Sequence, residues 1–588
     1  MFEMKKKEIQ LISTDFSPKI FKNRNLFFLG PWCNTNIKNY HQLQSFIWLK
    51  KATLEKDYNY INKLLKRLAE KIPTYLNKFH NKKYPETFWR SLLWVWLSLY
   101  LGSNYFKWKT FREAIKKNSN SKIRFVQINF DSLICPKDTH SFKNFIQESD
   151  IFNEYTFSKI SNYFAKNIKI SKQKKNFKFN FYEKFQYNLK QKTFVILKKI
   201  INFISIKIFQ SRSIIYQGFQ LKNLINLSLK KFTLPIFINE YFPENNIELK
   251  ILSKEQIIKR KKNFLDFKTK NDFERYILEA LPTEIPMSFL EDFPKMIKRA
   301  ESIKIKSNTI FSSNGHYFND KYKVWLFYKK ILKKNKLIII EHGGNHSKGR
   351  HSIFFNYDNF VGDVFIPWDK SVNLPAEKFI GFNLKKKETK NLLYIGFETD
   401  KYPSKIVDEI STLNELENIP NLNHLKKKLD KKIFDKLVYV QKKNREKRVI
   451  QKIKKIIGDK KLKKKGTFMK ELSKAKLAIC DYPQTTYFES LLTCPTILVI
   501  NINKSWKPLK RYLKFYSDLE KNKMLFKDIK NATQFVNKNW DNINEWWESK
   551  KIINLRKKLL REFNIDTRKE SINKWGEYVK AIDRNNAI

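Results

Sequence analysis

Short apolar runs that end in glycine or polar residues alternate with longer helical stretches along this chain. Near the N-terminus the pattern predicts three short strands, at 9–13, 26–29 and 122–130. Two long helices, 57–80 and 87–101, lie between the second and third of these strands. The first part of the chain is therefore predicted to alternate strands and helices.

The stretch between residues 150 and 300 has fewer apolar runs. Residues 150–210 are rich in Lys, Asn and Phe and are typical of helical or irregular structure. Within them, 194–209 have the pattern of an amphipathic helix interrupted by lysines. A strand is predicted at 213–217, and residues 231–300 mix prolines with charged helical pieces, as an insertion would.

The clearest parallel-sheet pattern begins at residue 308. A strand at 308–312, a helix at 319–335 and a buried strand at 336–341 follow one another, with glycine-containing turns after both strands. This order is typical of a parallel sheet with crossover helices. After the Lys-rich stretch 370–390, a second series of strands is predicted, at 391–395, 436–440, 477–480 and 495–500.

The chain length calls for more than one hydrophobic core. It has 588 residues, and a single core stops growing at roughly 250–300 residues. We expect an N-terminal Rossmann-like lobe over 1–385, with helical insertions at about 40–110 and 140–300, and a C-terminal Rossmann-like lobe over 386–588. The predicted fold class is α/β.

The charge balance is strongly basic, with 118 Lys and Arg against 57 Asp and Glu and a formal net charge of +61. Such a balance favours nucleic acid, an anionic membrane surface or phosphate-bearing substrates as partners. It also matches a compositional bias, because Lys, Asn, Ile and Phe are abundant together, as AT-rich coding sequence produces. The excess is spread along the whole chain, which argues against a dedicated nucleic-acid arm. A basic nucleic-acid-binding protein is the non-enzymatic alternative.

Nothing in the sequence has the pattern of a signal peptide or a membrane-spanning helix. The N-terminal residues lack an apolar core, and no run reaches the roughly 18 uncharged apolar residues that a span needs. The four cysteines have no metal or CxxC spacing and are expected to be reduced and buried. We therefore expect a cytoplasmic protein that can rest on the inner face of the membrane through its basic surface.

A candidate nucleotide site follows the predicted strand 477–480. The chain passes through a loop into a helix that carries Thr485, Thr486 and Glu489. Ligands of parallel sheets bind beyond the carboxyl ends of the strands, and the start of a helix suits a phosphate. The threonine hydroxyls can donate to phosphate, and Glu489 can accept from ribose hydroxyls. Thr486-x-x-Glu489 is also an ordinary capping box.

A second candidate site is the loop that follows the strand 336–341. Gly343 and Gly344 allow a ligand to approach the backbone closely. His342 is placed to take a proton from an acceptor hydroxyl, or to donate to the phosphates of the donor. Three cationic side chains after it can neutralise a diphosphate: His346, Lys348 and Arg350. The alternative is a glycine turn around a structural histidine.

Four further side chains are weaker candidates. Asn314 and His316 follow the strand 308–312 and would bind the acceptor if that strand neighbours 336–341. Trp32 can stack on a sugar face, although an aromatic residue there is more often part of a core. Thr399 follows the strand 391–395 and is a donor-side candidate.

These stretches resemble known proteins. The segment from Asp481 to Pro495 resembles the donor-site element of GT-B glycosyltransferases and of polymer glycerophosphotransferases. The chain more closely resembles a family of transferases encoded among surface-polysaccharide and O-antigen (lipopolysaccharide) biosynthesis genes. The similarity lies in four places: 26–33, 311–316, 340–344 and 480–499. Glu341 departs from it, since Gln is expected before the His-Gly-Gly.

The resemblance implies two lobes that face a cleft, with the last helix packing back on the N-terminal lobe. The C-terminal lobe would bind a nucleotide-sugar donor, and the N-terminal lobe a glycan or lipid-linked glycan acceptor. The implied activity is a glycosyltransferase of cell-surface polysaccharide synthesis, and transfer of a polyol phosphate from a CDP-linked donor is the enzymatic alternative. No Asp-x-Asp follows a predicted strand, so we expect no metal. We also expect no other cofactor, and no specific nucleic-acid partner.

Overall fold

The computed structural model describes a large part of the chain. The described residues are 7–21, 25–33, 43–48, 51–130, 132–174, 189–209, 213–216, 219–230, 236–243, 246–306, 308–344, 346–396, 400–406, 419–440, 447–463, 466–501 and 507–585. Within them the strands are β1 (Glu8–Ile12), β2 (Leu26–Phe28), β3 (Lys122–Asn129), β4 (Ile134–Pro136), β5 (Lys169–Lys174), β6 (Ser213–Tyr216), β7 (Leu249–Ile251), β8 (Thr309–Ser312), β9 (Lys336–Ile340), β10 (Val364–Ile366), β11 (Asn391–Ile395), β12 (Leu437–Val440), β13 (Leu462–Lys463), β14 (Ala475–Cys480), β15 (Thr496–Val499) and β16 (Leu525–Phe526).

Helices connect these strands and cover the sheets. They are α1 (Lys51–His80), α2 (Glu86–Lys117), α3 (Thr139–Glu148), α4 (Asp150–Ser161), α5 (Leu189–Ile204), α6 (Leu221–Lys230), α7 (Lys254–Lys261), α8 (Asp272–Glu284), α9 (Phe293–Ser302), α10 (Gly315–Phe318), α11 (Asp320–Phe327), α12 (Ile353–Val361), α13 (Ile419–Lys428), α14 (Lys431–Phe434), α15 (Lys447–Ile457), α16 (Phe468–Leu472), α17 (Thr485–Leu491), α18 (Lys510–Lys521), α19 (Ile529–Asn539), α20 (Ile543–Glu548), α21 (Lys550–Glu562) and α22 (Ile572–Asn585). Within the described residues, no helix is long and apolar enough to cross a bilayer.

The predicted α/β class is confirmed, because three parallel sheets organise the described chain. Their strand orders are β2-β1-β3-β5, β10-β9-β8-β6 and β13-β12-β11-β14-β15-β16. The six-stranded sheet belongs to the C-terminal lobe, and β4 and β7 form a small antiparallel pair. Non-consecutive neighbours such as β1 and β3 show the crossover connections that parallel strands require.

The N-terminal lobe differs from the expectation in having two parallel sheets. The region 140–300, expected to be a helical insertion, supplies β5, which was not predicted, to the edge of the first sheet, and the predicted strand at 213–217 forms β6 at the edge of the second. An edge strand needs fewer apolar residues than a central one, because it has a neighbour on only one side. The β5 sequence KISKQK is correspondingly polar, so its hydrophobic pattern gives little sign of a strand.

The long helix α2 forms the centre of the N-terminal lobe. It continues to Lys117, well beyond the 87–101 predicted from its apolar run. Trp89 and Trp96 are fully buried on it, and it contacts α1, α3, α4, α11 and α12. The helix is therefore a core element surrounded by other helices.

The strand β9 is buried on both faces, as a central parallel strand is expected to be. Leu337 and Ile339 face the large core of the N-terminal lobe. Ile338 and Ile340 face a smaller cluster that contains Trp575 of α22. The indole nitrogen of Trp575 donates to the carbonyl of Pro375 at 2.9 Å. The last helix thus packs on the second sheet of the N-terminal lobe.

The segment 400–406, which lies beyond β11 in sequence, packs against the first sheet. The ring of Tyr402 lies 5.6 Å from that of Trp32, and its backbone N–H donates to the Gln147 carbonyl at 3.0 Å. The Gln147 side chain donates to the Ser404 hydroxyl, also at 3.0 Å. This segment therefore ties the chain of the C-terminal lobe to the N-terminal one.

Candidate functional site

The strands β8 and β9 are parallel neighbours, with Ser312 paired to Ile339, so the loops after them emerge side by side. This brings two of the predicted site residues together. The amide nitrogen Nδ2 of Asn314 lies 3.0 Å from Nε2 of His342. The hydroxyl of Ser313 lies 3.4 Å from Nδ1 of the same ring. Since an amide nitrogen only donates, this orientation makes Nε2 the acceptor and places the proton of a neutral ring on Nδ1.

His342 is a solvent-accessible histidine whose environment disfavours its charged form. Desolvation by the surrounding protein lowers its pKa to about 4, and electrostatic repulsion from His346, Lys378 and His316 acts in the same direction. The ring is consequently neutral at physiological pH. A neutral imidazole with Nε2 as acceptor is the form that a general base requires.

On the facing lobe, β14 leads through a short loop into α17. The helix begins at Thr485, and its N-cap residue Gln484 makes no side-chain capping bond. Thr486 is therefore the second residue of the helix rather than its cap, so the capping-box interpretation of Thr486 and Glu489 does not describe this helix. Both threonines are partly exposed, whereas Glu489 is buried, with 3% of its surface accessible.

The two candidate loops meet across the lobes. A methyl group on Gly343 would lie 3.5 Å from the hydroxyl oxygen of Thr485. A methyl group on Gly344 would lie 2.5 Å from Cε2 of Phe488 and 3.2 Å from Cε3 of Trp368. Only a glycine allows so close an approach at the second position. We call the region between His342, Gly343, Thr485 and Glu489 the interlobe cleft.

Lys378 joins the cleft as a residue that the sequence did not single out. Its Nζ lies 3.3 Å from Oε1 of the buried Glu489, and 42% of its side chain is exposed. In the sequence it is one lysine of the Lys-rich stretch 370–390, so charge alone did not distinguish it from its neighbours. Its partly open ammonium group is a cation that a phosphate can reach.

Next to Lys378, Glu377 is buried and fastens the start of α6. The side chain of Asn223 donates to its Oε1 at 2.9 Å, and the backbone N–H of Gln220 donates to the same oxygen. Burial raises the pKa of Glu377 to about 7, although these hydrogen bonds and the charges of Lys222 and Lys378 oppose the shift. A titratable carboxyl group thus holds the segment that carries Lys378.

Glu341 and Lys348 form a fully buried ion pair behind the His342 loop, with Oε2 and Nζ 3.2 Å apart. Glu341 also accepts from the backbone and the hydroxyl of Ser347, at 2.8 and 3.0 Å. Lys348 lies 3.6 Å from Asp369 as well. Glu341, which stands where Gln was expected, is therefore paired with Lys348, and its hydrogen bonds to Ser347 hold the loop after His342.

The expected diphosphate contacts of the cations after His342 are not supported by this arrangement. Lys348 has no accessible side-chain surface because it is enclosed by its two acidic partners. Arg350 forms an ion pair with Glu55 at 2.8 Å. The ring of His346 stacks on Phe354, with centroids 5.6 Å apart. These residues support the loop, and Lys378 is the cation beside Glu489.

His316 and Trp32 lie in the core, which differs from the expected contact with an acceptor. His316 is fully buried, and its nitrogens are bonded to Asp358 at 2.8 Å and Ser312 at 2.9 Å. Trp32 is 4% exposed and donates from its indole nitrogen to the carbonyl of Ser13. Neither ring has a free face for a sugar. Thr399 lies outside the described residues.

The described residues contain no group of three or more His, Cys, Asp or Glu side chains placed to hold a metal ion. The four cysteines are buried as free thiols, as the sequence predicts. Burial raises the pKa of Cys135 to about 11.

Comparison with known proteins gives a strong match to a family model and loose matches to solved structures. A family model described as the LIC12162 family transferase matches residues 10–578. No curated protein sequence matches. Among solved structures, the S. aureus MnaA–UDP co-structure is 10% identical, with a TM-score of 0.36, covering 63% of this chain and 97% of that one. A protein assigned as a UDP-N-acetylglucosamine 2-epimerase from Listeria monocytogenes is 9% identical, with a TM-score of 0.35, covering 63% and 96%. Superpositions this loose carry no inference about the ligand of this chain.

Proposed function

Since the chain belongs to the LIC12162 family of transferases, we propose that it is a glycosyltransferase that moves a sugar from a nucleotide-sugar donor to a cell-surface glycan acceptor of the O-antigen or capsule type. The observation that supports this most is the contact of the His342 loop with α17. It brings the loop of a neutral histidine on one lobe next to the Thr485 hydroxyl at the start of the helix that carries the buried Glu489 on the other. A base and a nucleotide-binding element on facing lobes are what sugar transfer from a diphosphate needs.

In this proposal the donor lies against α17. The hydroxyls of Thr485 and Thr486 donate to the diphosphate, and Lys378 supplies positive charge as the leaving group departs. Glu489 accepts hydrogen bonds from the ribose hydroxyls. These approach from the side of Lys378, whose Nζ lies 3.3 Å from Oε1 of Glu489 in the structure. Gly343 leaves its backbone accessible to the phosphates, whereas the expected donor contact of Gly344 does not fit the structure, because Gly344 is packed against Phe488 and Trp368. With these groups in place the transfer needs no metal, so activity should persist in EDTA.

The acceptor hydroxyl would meet Nε2 of His342. In the structure this nitrogen faces the amide of Asn314 at 3.0 Å. The hydroxyl of the acceptor would replace that amide, and Asn314 would then hold the acceptor from the side. As the sugar–phosphate bond breaks, the new glycosidic bond forms and His342 takes the proton of the hydroxyl. His342 is thus the proposed catalytic base.

A nucleotide-sugar panel tests this proposal on the purified full-length chain. We expect a rise in Tm with one class of UDP-, GDP-, CDP- or CMP-linked sugar, because a ligand that binds the folded state stabilises it. Glu489→Gln should abolish that rise while leaving the melting curve of the free protein largely unchanged. The matched control is Glu520→Gln on α18, which removes the charge of a carboxylate paired with Lys527. CDP-glycerol and CDP-ribitol belong in the panel, since a shift with them alone would favour polyol-phosphate transfer.

A nucleic-acid binding experiment tests the non-enzymatic alternative. Duplex DNA or RNA should bind weakly and lose its affinity steeply with salt, as any cationic surface does. Tight binding to nucleic acid, combined with no response to any donor, would overturn the transferase proposal for this cleft.

A further inference from the structure

The helix α5 is oriented with its polar side chains towards the protein and its apolar side chains towards solvent. Asn202 of α5 and Ser205, the first residue after the helix, are buried, at 2% and 0% exposure. Four large apolar side chains are exposed by half or more of their surface: Ile196, Leu197, Ile200 and Phe203. Because these positions recur at helical spacing, they share one face of the helix. A surface helix normally has the reverse orientation.

Specific polar contacts fix α5 in this orientation. The amide of Asn202 donates to the carbonyl of Phe237 at 3.0 Å, and the backbone N–H of Phe237 donates back to Asn202 at 2.6 Å. Lys198 forms an ion pair with Glu240 at 3.2 Å. These contacts lie on the side of the helix opposite to Ile200 and Phe203, so the apolar face points away from the fold.

Positive charge borders this apolar face. A cavity of about 620 Å³ adjoins Phe203, and four of its lining residues are lysines: Lys199, Lys207, Lys304 and Lys306. No acidic side chain is among the described residues that line it. All four lysines are exposed. An exposed apolar face bordered by lysines is the arrangement that lies in the headgroup region of an anionic bilayer.

A second apolar stripe follows on the next helix. On α6, Leu221, Ile225 and Leu229 recur every four residues, and each is exposed by 40% or more. The helices α5 and α6 precede and follow the edge strand β6 in the chain. Contiguous exposed apolar stripes, unlike single exposed apolar residues, mark a contact surface.

We propose that the apolar face of α5, together with its lysine border, docks this protein on an anionic lipid bilayer. Aliphatic side chains suit the boundary between headgroups and acyl chains, and the lysines suit anionic headgroups. A second copy of the chain fits less well, since a twofold interface here would bring lysines against lysines. This docking surface is separate from the interlobe cleft and does not depend on the proposed function.

Vesicle flotation of the full-length protein tests the proposal. Vesicles that contain phosphatidylglycerol should carry the protein, and pure phosphatidylcholine vesicles should not. The double variant Ile200→Ser/Phe203→Ser should lower the bound fraction at least about tenfold, because burial of these side chains provides the apolar attraction. Lys304→Glu/Lys306→Glu should lower binding to the anionic vesicles and reduce its dependence on salt.

A matched control uses an exposed isoleucine elsewhere. Ile258 on α7 is 68% exposed and Ile251 on β7 is 59% exposed, so Ile251→Ser/Ile258→Ser removes two exposed apolar side chains outside α5 and should bind vesicles like the unaltered protein. Melting curves and circular dichroism of all variants report whether they fold. Two outcomes would overturn the proposal: vesicle binding that the serine double variant leaves unchanged, or a dimer in solution that this variant dissociates while vesicles capture neither protein.

Discussion

Gly344 and Phe488 are in contact across the two lobes, so closely that a single methyl group on the glycine would lie 2.5 Å from the phenylalanine ring. The contact joins the loop of His342 to the helix of Glu489. The spacing of the two lobes at the interlobe cleft is therefore set partly by the absence of a side chain at position 344.

Gly344→Ala should weaken this lobe contact. The methyl group has to displace Phe488 or Trp368, and overpacking of this kind costs about 1–3 kcal/mol. The transfer rate should fall by more than the loss of folding free energy alone explains, because the loop and α17 would move apart. Gly343→Ala is the neighbouring control, since its methyl group would make an ordinary 3.5 Å contact with Thr485. Chemical unfolding and a transfer assay on both variants check the difference, and equal stability for the two would contradict the steric argument.

Lys348→Met should be strongly destabilising. It leaves the carboxylate of Glu341 buried without its cation, a change that typically costs about 3–5 kcal/mol. Adding Glu341→Gln should recover part of that loss, because the remaining group is neutral. A double-mutant cycle from urea unfolding measures the coupling. Additive losses would show that the 3.2 Å ion pair does not act as a unit.

The acid limb of the activity profile should lie near pH 4. The pKa of His342 is lowered to about 4 by burial and neighbouring positive charge, so the ring stays neutral and able to accept a proton far below the usual 6.5. Activity should be nearly flat from pH 8 to about 5. Because the unfolded chain binds this proton at a higher pH, the contribution of His342 to stability falls as pH drops from 6.5 to 4. An acid limb near pH 6.5 in the unaltered protein would contradict the lowered pKa.

Glu377→Gln should stabilise the protein at alkaline pH. Folding raises the pKa of Glu377 from 4.5 to about 7, so the folded state prefers the neutral acid, and stability is lost as pH rises through that range. The free energy of unfolding of the variant should exceed that of the unaltered protein increasingly from pH 4.5 to about 7. Above that range the difference should level off at about 3 kcal/mol. Melting curves at pH 5 and 8.5 measure it. The control Glu388→Gln changes an exposed carboxylate, so its stability relative to the unaltered protein should be the same at both pH values.

The strands that form the cleft could be read from the sequence because they are central. β9 and β14 are runs of apolar residues buried on both faces, and the glycines and threonines after them mark the loops. The resemblance to transferases is confirmed by the family match over residues 10–578. The strands that the sequence missed, such as β5 and β16, lie at sheet edges and are short or polar.

Side-chain partners were harder to foresee. His316 and Asn314 follow the same strand two residues apart, yet one is sealed in the core by Asp358 while the other faces His342. Nothing in their spacing tells which direction each side chain takes. Lys378 was hidden among other lysines, and its significance depends on Glu489, more than a hundred positions further along the chain. Contacts between distant residues decide these roles.

The packing of α22 on β9 has a consequence for how the chain is made. Ile338 and Ile340 are synthesised long before Trp575 and Val579, which cover them in the finished protein. While the C-terminal lobe is still being translated, one face of the second sheet is exposed to solvent and open to aggregation or to chaperones. The N-terminal lobe can complete its core only after residues 572–582 have left the ribosome, so a nascent chain stalled before that point would carry an uncovered apolar sheet.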